Sequence, residues 1–182
     1  VPGILNICTA NRCRSPIAER LLRAALPPQV PVSSAGLRAR WGEPIWPGAA
    51  VELERRGISP LGFDSYPLDG TLIAGADLVL TATRAHRDEV LSGSPDALRR
   101  TFTWRELAWL MEGVGTGEVP GGTVMERLRA LPAAAAARRG LRAAPPPEEF
   151  DVLDPVELPP SAMPSAADQI ERAVQGIVRV LL

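Results

Sequence analysis

The sequence predicts an α/β fold: one domain over residues 1–182, with a four-stranded, mostly parallel, twisted sheet and helices on both faces. Two observations carry this. Short apolar runs of strand length alternate along the chain with segments whose apolar residues recur at helical spacing. The length, 182 residues, suits one well-cored domain and is short for two. Aromatics make up only 4% of the chain, so the core is expected to rest on Leu, Val, Ile and Ala.

The elements follow in order. Ile4 to Cys8 is an apolar run bounded by Pro2-Gly3 and Thr9, and reads as a buried strand. From Pro16 the period changes, with Ile17, Leu21, Leu22 and Ala25 on one face; Ser15 is a good N-cap and Pro16 a good first helical residue. That helix ends before Pro27-Pro28. Val30 to Ser34 reads as the second strand, and Pro47 to Arg56 as a helix stopped at Gly57. Ala76 to Thr81 is the third strand, Arg84 to Leu91 a surface helix, and Thr101 to Thr103 a short fourth strand. Helices are expected over Trp104–Met111 and Val124–Arg139, separated by a Gly-rich loop at 113–122. After a loop at 143–147, Ser165 to Leu182 closes the chain with Ile170, Val174, Ile177, Val178 and Leu181 on an apolar face.

Composition narrows the partners. Net charge is −1, all 20 basic residues are Arg, and no basic stripe interleaved with aromatics appears, so nucleic acid is not an expected partner. No apolar run approaches the length of a membrane span. The opening Val1-Pro2-Gly3-Ile4 lacks the charged and apolar regions of a signal peptide, and Val1 suggests a trimmed or incomplete N-terminus; the chain reads as cytoplasmic. Cys8 and Cys13 are too few and too close for a disulfide scaffold, and with His86 the sole histidine no metal site and no cofactor are expected.

The chemistry is concentrated where the first strand turns into the first helix, the place where open α/β sheets bind ligands. Cys8-Thr9-Ala10-Asn11-Arg12-Cys13-Arg14-Ser15 is a C-x5-R-S loop opening a helix. A tight loop at a helix N-terminus aims several backbone N–H groups inward and forms an anion nest. Arg14 adds a planar fork of donors matched to phosphate oxygens. A cysteine at the floor of such a nest is favoured as thiolate, its nucleophilic form. The bland alternative is a buried strand-end cysteine beside a solvated arginine.

The run Cys8 to Glu19 resembles the signature of the low-molecular-weight protein tyrosine phosphatases. Ser33-Ser34-Ala35-Gly36, Ala76-Asp77-Leu78-Val79-Leu80-Thr81 and Asp154-Pro155 are similar to the family's second strand, central strand and late acid loop, and together cover nearly the whole chain. Thr81–Arg87 and Thr101–Leu107 look like an actinobacterial branch. The resemblance implies Cys8 as nucleophile, forming a phosphocysteine intermediate, Arg14 as the phosphate-binding arginine, and Asp154 as general acid and then base. Asp151 is its rival. Ser15 would donate to the thiolate, and Thr9, Ala10, Arg12 and Cys13 would supply loop N–H groups. Asn11 would hold a left-handed turn. Cys13 is either a redox partner of Cys8 or a small loop filler. Trp41 and Trp46 are candidates for the cleft wall, and His86, on a surface helix, has no catalytic role.

Three departures stand out. Ala10 occupies a position usually held by Gly, so a positive φ there would be strained. Phe63 lies where many relatives have a His that orders the loop Asn. Val156-Glu157-Leu158 follow Asp154-Pro155, where relatives often carry Tyr. The implied function is phosphomonoester hydrolysis on a phosphotyrosine protein or a small phosphate ester, by a monomer or weak dimer. Alternatives are a small-molecule phosphatase in a biosynthetic pathway, arsenate reductase on the same fold, and a non-catalytic phosphate-binding protein.

Overall fold

The computed structural model describes residues 3–141 and 143–182, so Val1 and Pro2 of the N-terminal reading lie outside the described residues. In chain order the elements are β1 (Ile4–Cys8), α1 (Arg14–Ala25), β2 (Val32–Gly36), α2 (Pro47–Arg55), α3 (Gly70–Gly75), β3 (Leu78–Thr81), α4 (Arg84–Gly93), β4 (Thr101–Thr103), α5 (Trp104–Leu110), α6 (Val124–Ala137) and α7 (Ala162–Leu181). The strands form one sheet in the order β2-β1-β3-β4, and every pairing is parallel, rather than mostly so.

Alternation along the strands divides the core. Ile4 and Cys8 of β1, with Leu78 and Leu80 of β3 and Phe102 of β4, face a large cluster built from α1, α2, α5, α6 and α7. Leu5, Ile7 and Val79 face the opposite side, where Ile73 of α3 and Val90 of α4 cover them. Each fully buried Leu or Ile contributes about 1.5–3 kcal/mol. Asn6, buried on the central strand, is satisfied on both ends: its Nδ2 donates to Ser33 O at 3.0 Å and its Oδ1 accepts from Trp104 Nε1 at 2.9 Å. Fully buried Phe102 and Trp104 join the aliphatic core despite the scarcity of aromatics.

Element boundaries move for identifiable reasons. β2 starts at Val32 because Pro31 has no N–H for the ladder; its carbonyl accepts from Ile4 N instead. β2 runs on to Gly36, paired with Cys8. A Cβ at Gly36 would sit 2.7 Å from Thr9 O and 2.8 Å from Asn11 N, so only glycine lets β2 pass beneath the loop that leaves β1. β3 starts at Leu78 because Ala76 caps α3, a helix without a clear apolar period. Its sequence signal was Asp69, whose Oδ1 accepts from Thr71 N and Leu72 N. α1 begins at Arg14, two residues before Pro16, and Ser15 makes no capping bond. α7 begins at Ala162 because Pro164 is tolerated in a first helical turn.

Candidate active site

The loop from Cys8 to Arg14 leaves the carboxyl end of β1 and enters α1, where the N-terminal end of the helix dipole favours an anion. Its carbonyls are tied outward: Cys8 O accepts from Leu37 N, Thr9 O from Arg38 N and Arg12 O from Trp46 N. Among the described residues, none accepts a hydrogen bond from the N–H groups of residues 9–13. Asn11 makes the reversal, with φ of 53°, the only non-glycine positive φ among the described residues. Ala10 has no positive φ, so its replacement of glycine brings no strain of that kind.

Asn11 is also the hub of a directed hydrogen-bond chain. Its Oδ1 accepts from Tyr66 N at 2.8 Å, which fixes the amide orientation. Both Nδ2 hydrogens then go to hydroxyls, Ser15 Oγ at 2.9 Å and Ser34 Oγ at 2.8 Å. Ser34 donates its own hydrogen to Glu19 Oε2 at 2.5 Å. Glu19 in turn pairs with Arg23 at 3.1 Å. Ser15 Oγ lies 3.0 Å from Cys8 Sγ and, already accepting from Asn11, has its hydrogen free for the sulfur. The Ser15 hydroxyl thus serves the sulfur rather than the helix end. Phe63, in place of the expected His, packs on the core with the Arg20 guanidinium 5.9 Å from its ring centre.

Arg14 is 3% exposed and held from three sides. Nη1 donates to Val152 O at 3.0 Å, and Nη2 donates to Thr9 Oγ1 at 3.1 Å and to Asp154 Oδ2 at 2.5 Å. Its Nε is buried with no partner among the described residues, a donor not spent on the protein. Val152 N donates to Ala82 O just beyond β3, which anchors the segment carrying Asp154. Asp154 Oδ1 accepts from Val156 N and caps a short turn, Pro155–Glu157. Asp151 is committed elsewhere: its carboxylate accepts from the Arg84 backbone at 2.7 Å and from the Arg84 guanidinium.

Cys13 points its thiol at Met163 Sδ on α7, 3.6 Å away. Burial, then the neighbouring Cys8 and Asp154, push its pKa up to about 12, so it stays a thiol at neutral pH. Trp46 lines the cleft with the Arg12 guanidinium 5.3 Å over its ring. Trp41 does not line it; 65% exposed, it packs on Tyr66 with ring centres 3.9 Å apart and planes tilted by 60°. The surface assignment of His86 also fails: it is 9% exposed and hydrogen-bonded to Thr9 Oγ1 at 2.9 Å. Its i, i+4 partner Val90, buried on the same face of α4, was the sequence signal.

The cleft holds about 230 Å³ between the loop, Trp46, Asp154, Val156 and Glu157. A larger groove of about 480 Å³ lies between α5 and α7 but contains no nucleophile, so size does not locate the chemistry. Residues 3–108 match the family model for low molecular weight phosphotyrosine protein phosphatase. The chain belongs to that family.

Relatives of this phosphatase family agree with the geometry. The chain is 36% identical over 108 residues to the low molecular weight protein-tyrosine-phosphatase Etp of Escherichia coli, covering 59% of this chain and 71% of that one. It is 37% identical over 103 residues to a protein-arginine-phosphatase of Geobacillus stearothermophilus, covering 57% and 69%. Among solved structures it is similar to the YwlE arginine phosphatase of Geobacillus stearothermophilus, with a TM-score of 0.70 at 26% identity, over 96% of this chain and 89% of that one. The protein is accordingly an enzyme of the cysteine-dependent phosphatase kind. The family match ends at residue 108, so it does not reach Asp154.

Proposed function

We propose that the chain, acting as one catalytic domain over residues 1–182, hydrolyses phosphomonoesters through a phosphocysteine at Cys8. One observation carries this reading. A sulfur with a hydroxyl hydrogen directed at it lies in a loop whose N–H groups are unpaired, beside a buried arginine with a free Nε. The phosphate dianion takes the N–H groups of residues 9–13 and the Arg14 donors, releasing Asp154 from Nη2. Released from Arg14 as a carboxylate beside the phosphate, Asp154 takes up a proton from solvent. The Cys8 thiolate attacks phosphorus in line; the S–P bond forms as the P–O bond to the leaving group breaks, and protonated Asp154 gives that oxygen its proton. Water then attacks phosphorus, passing a proton to the Asp154 carboxylate. The S–P bond breaks and inorganic phosphate leaves. Asp154 takes the acid role over Asp151 because it alone of the two lines the cleft, Asp151 being held by Arg84.

The preferred substrate is phosphotyrosine in a protein, supported by the aromatic wall of Trp46 and by the tyrosine phosphatase among the relatives. Phosphoarginine is the second reading. Glu157 on the rim suits a guanidinium leaving group, and two similar proteins are named arginine phosphatases. A nucleophilic thiol must stay reduced, which favours a cytoplasmic setting. The actinobacterial affinity rests on Thr81–Arg87 and Thr101–Leu107. A monomer or weak dimer is the assembly we assign.

The test is turnover of p-nitrophenyl phosphate, phenyl phosphate, and phosphotyrosine and phosphoarginine peptides. Cys8→Ser is expected to lose activity by at least about 10⁴-fold on all of them. Asp154→Asn should cost about 10²–10³-fold on phenyl phosphate, whose leaving group needs the proton, and far less on p-nitrophenyl phosphate. Normal turnover by Cys8→Ser would refute the mechanism, and the peptide ratio decides the substrate.

A further inference from the structure

We infer that His86 is a positioning residue for phosphate capture, acting through the Thr9 hydroxyl to hold Arg14 in its binding pose. The inference rests on the phosphate-binding reading above. The imidazole is clamped at both nitrogens: Nδ1 lies 2.7 Å from Thr83 Oγ1 and Nε2 2.9 Å from Thr9 Oγ1. Thr83 is in turn fixed as the N-cap of α4, accepting from His86 N at 3.2 Å. The ring therefore has one orientation, set by the end of β3 and the start of α4.

Thr9 Oγ1 also accepts from Arg14 Nη2 at 3.1 Å. Arginine only donates, so this direction is fixed. A hydroxyl has one hydrogen and two lone pairs, and either neutral tautomer of His86 can pair with it while leaving a lone pair for Arg14. Burial and the nearby Arg14 charge keep the ring neutral at pH 7, so it adds no second cation beside the guanidinium.

The consequence concerns the two Nη2 hydrogens. In the free protein one goes to Thr9 and the other to Asp154. Phosphate must displace Asp154, and Thr9 is then the neutral partner that keeps the guanidinium plane in register. Without His86 the Thr9 hydroxyl is free to rotate, Asp154 becomes the sole fixed partner of Nη2, and the ion pair competes with the incoming phosphate.

The experiment uses the full chain. Inorganic phosphate binding is measured by calorimetry, and kcat and KM with p-nitrophenyl phosphate. His86→Leu should weaken phosphate binding and raise KM by about tenfold, with a smaller change in kcat. His86→Gln, whose amide reaches the Nε2 position, should recover most of the loss. Thr9→Val keeps the backbone N–H and should reproduce the His86→Leu defect, while the double variant should be no worse than the weaker-binding single one. Unchanged phosphate affinity in His86→Leu, additive losses in the double variant, or failure of Gln to rescue would each overturn the inference. Phosphate binding that responds as expected in a chain with no turnover would sink the catalytic reading and leave this one standing. A parent chain that binds no phosphate would sink both.

Discussion

The two flanks of the phosphate loop are built on opposite plans. On the thiol flank, Cys8, Ser15, Asn11, Ser34 and Glu19 are all buried and joined by hydrogen bonds whose directions follow one from another. Every group there has a partner in the free protein, and none has to let go when phosphate arrives. On the arginine flank, Arg14 is held by Val152 O, Thr9 and Asp154, and Asp154 remains 26% exposed at the side chain. One of those partners, Asp154, is charged and lines the cleft. In the mechanism we propose, the nucleophile is thus preorganised, while the acid is released by the ligand it protonates.

Substitutions on each side should expose the difference. The largest effect is expected for Arg14→Lys, about 10³-fold in kcat/KM on p-nitrophenyl phosphate. A lysine keeps the charge but cannot serve Val152 O, Thr9 and phosphate from one plane. A loss under tenfold would mean that charge alone matters on this flank. Asn11→Ala comes next, about 10²-fold in kcat with about 2–3 kcal/mol of stability, measured by urea unfolding. It removes three hydrogen bonds and places alanine at a φ of 53°. If stability falls but kcat holds, the thiol flank is scaffolding and the proposed direction of its bonds is irrelevant to chemistry.

The same contrast explains what the sequence disclosed. The thiol flank lies within residues 8–34, and its core is a local strand-loop-helix, so Cys8 and the neighbouring Arg14 stood out from spacing and residue type, while the parts given to Asn11 and Ser15 were implied by the family resemblance. Asp154 was singled out because a Pro follows it and because of the family resemblance. Glu19 looked like an ordinary polar helix residue, since nothing local says that Ser34 will face it across the β1–β2 pair. His86 was misread because Arg84, Arg87 and Asp88 around it give α4 a solvated look, and its contact with Thr9 spans 77 residues of chain. Trp41 and Trp46 could not be ranked, because loop direction after β2 depends on Tyr66 and Arg12, which the linear order does not place.

A smaller effect should separate direction from mere packing on the thiol flank. Ser34→Ala removes one acceptor for Asn11 and the donor to Glu19 Oε2 but leaves Ser15 in place. We expect kcat/KM to fall about tenfold, and iodoacetamide alkylation at fixed pH to slow by a similar factor. Unchanged alkylation would show that Ser15 holds its orientation without the chain behind it.

The smallest effect tests the arginine flank through acid stability rather than rate. Arg14, Asp154, Glu89 and Arg38 face His86, and burial followed by the Arg14 charge lowers its pKa from 6.5 to about 4. Between those values the unfolded chain binds a proton that the folded chain refuses, so stability from this group is complete above pH 6.5 and is lost as pH falls towards 4. The loss amounts to roughly 2–3 kcal/mol over that window. His86→Gln has no such proton to bind. Its urea midpoint should therefore decline less than the parent's between pH 7 and pH 4.5, with other carboxylates contributing equally to both. Parallel declines would mean that the folded ring takes up its proton as readily as the unfolded one, and that the Arg14 charge is not felt across Thr9.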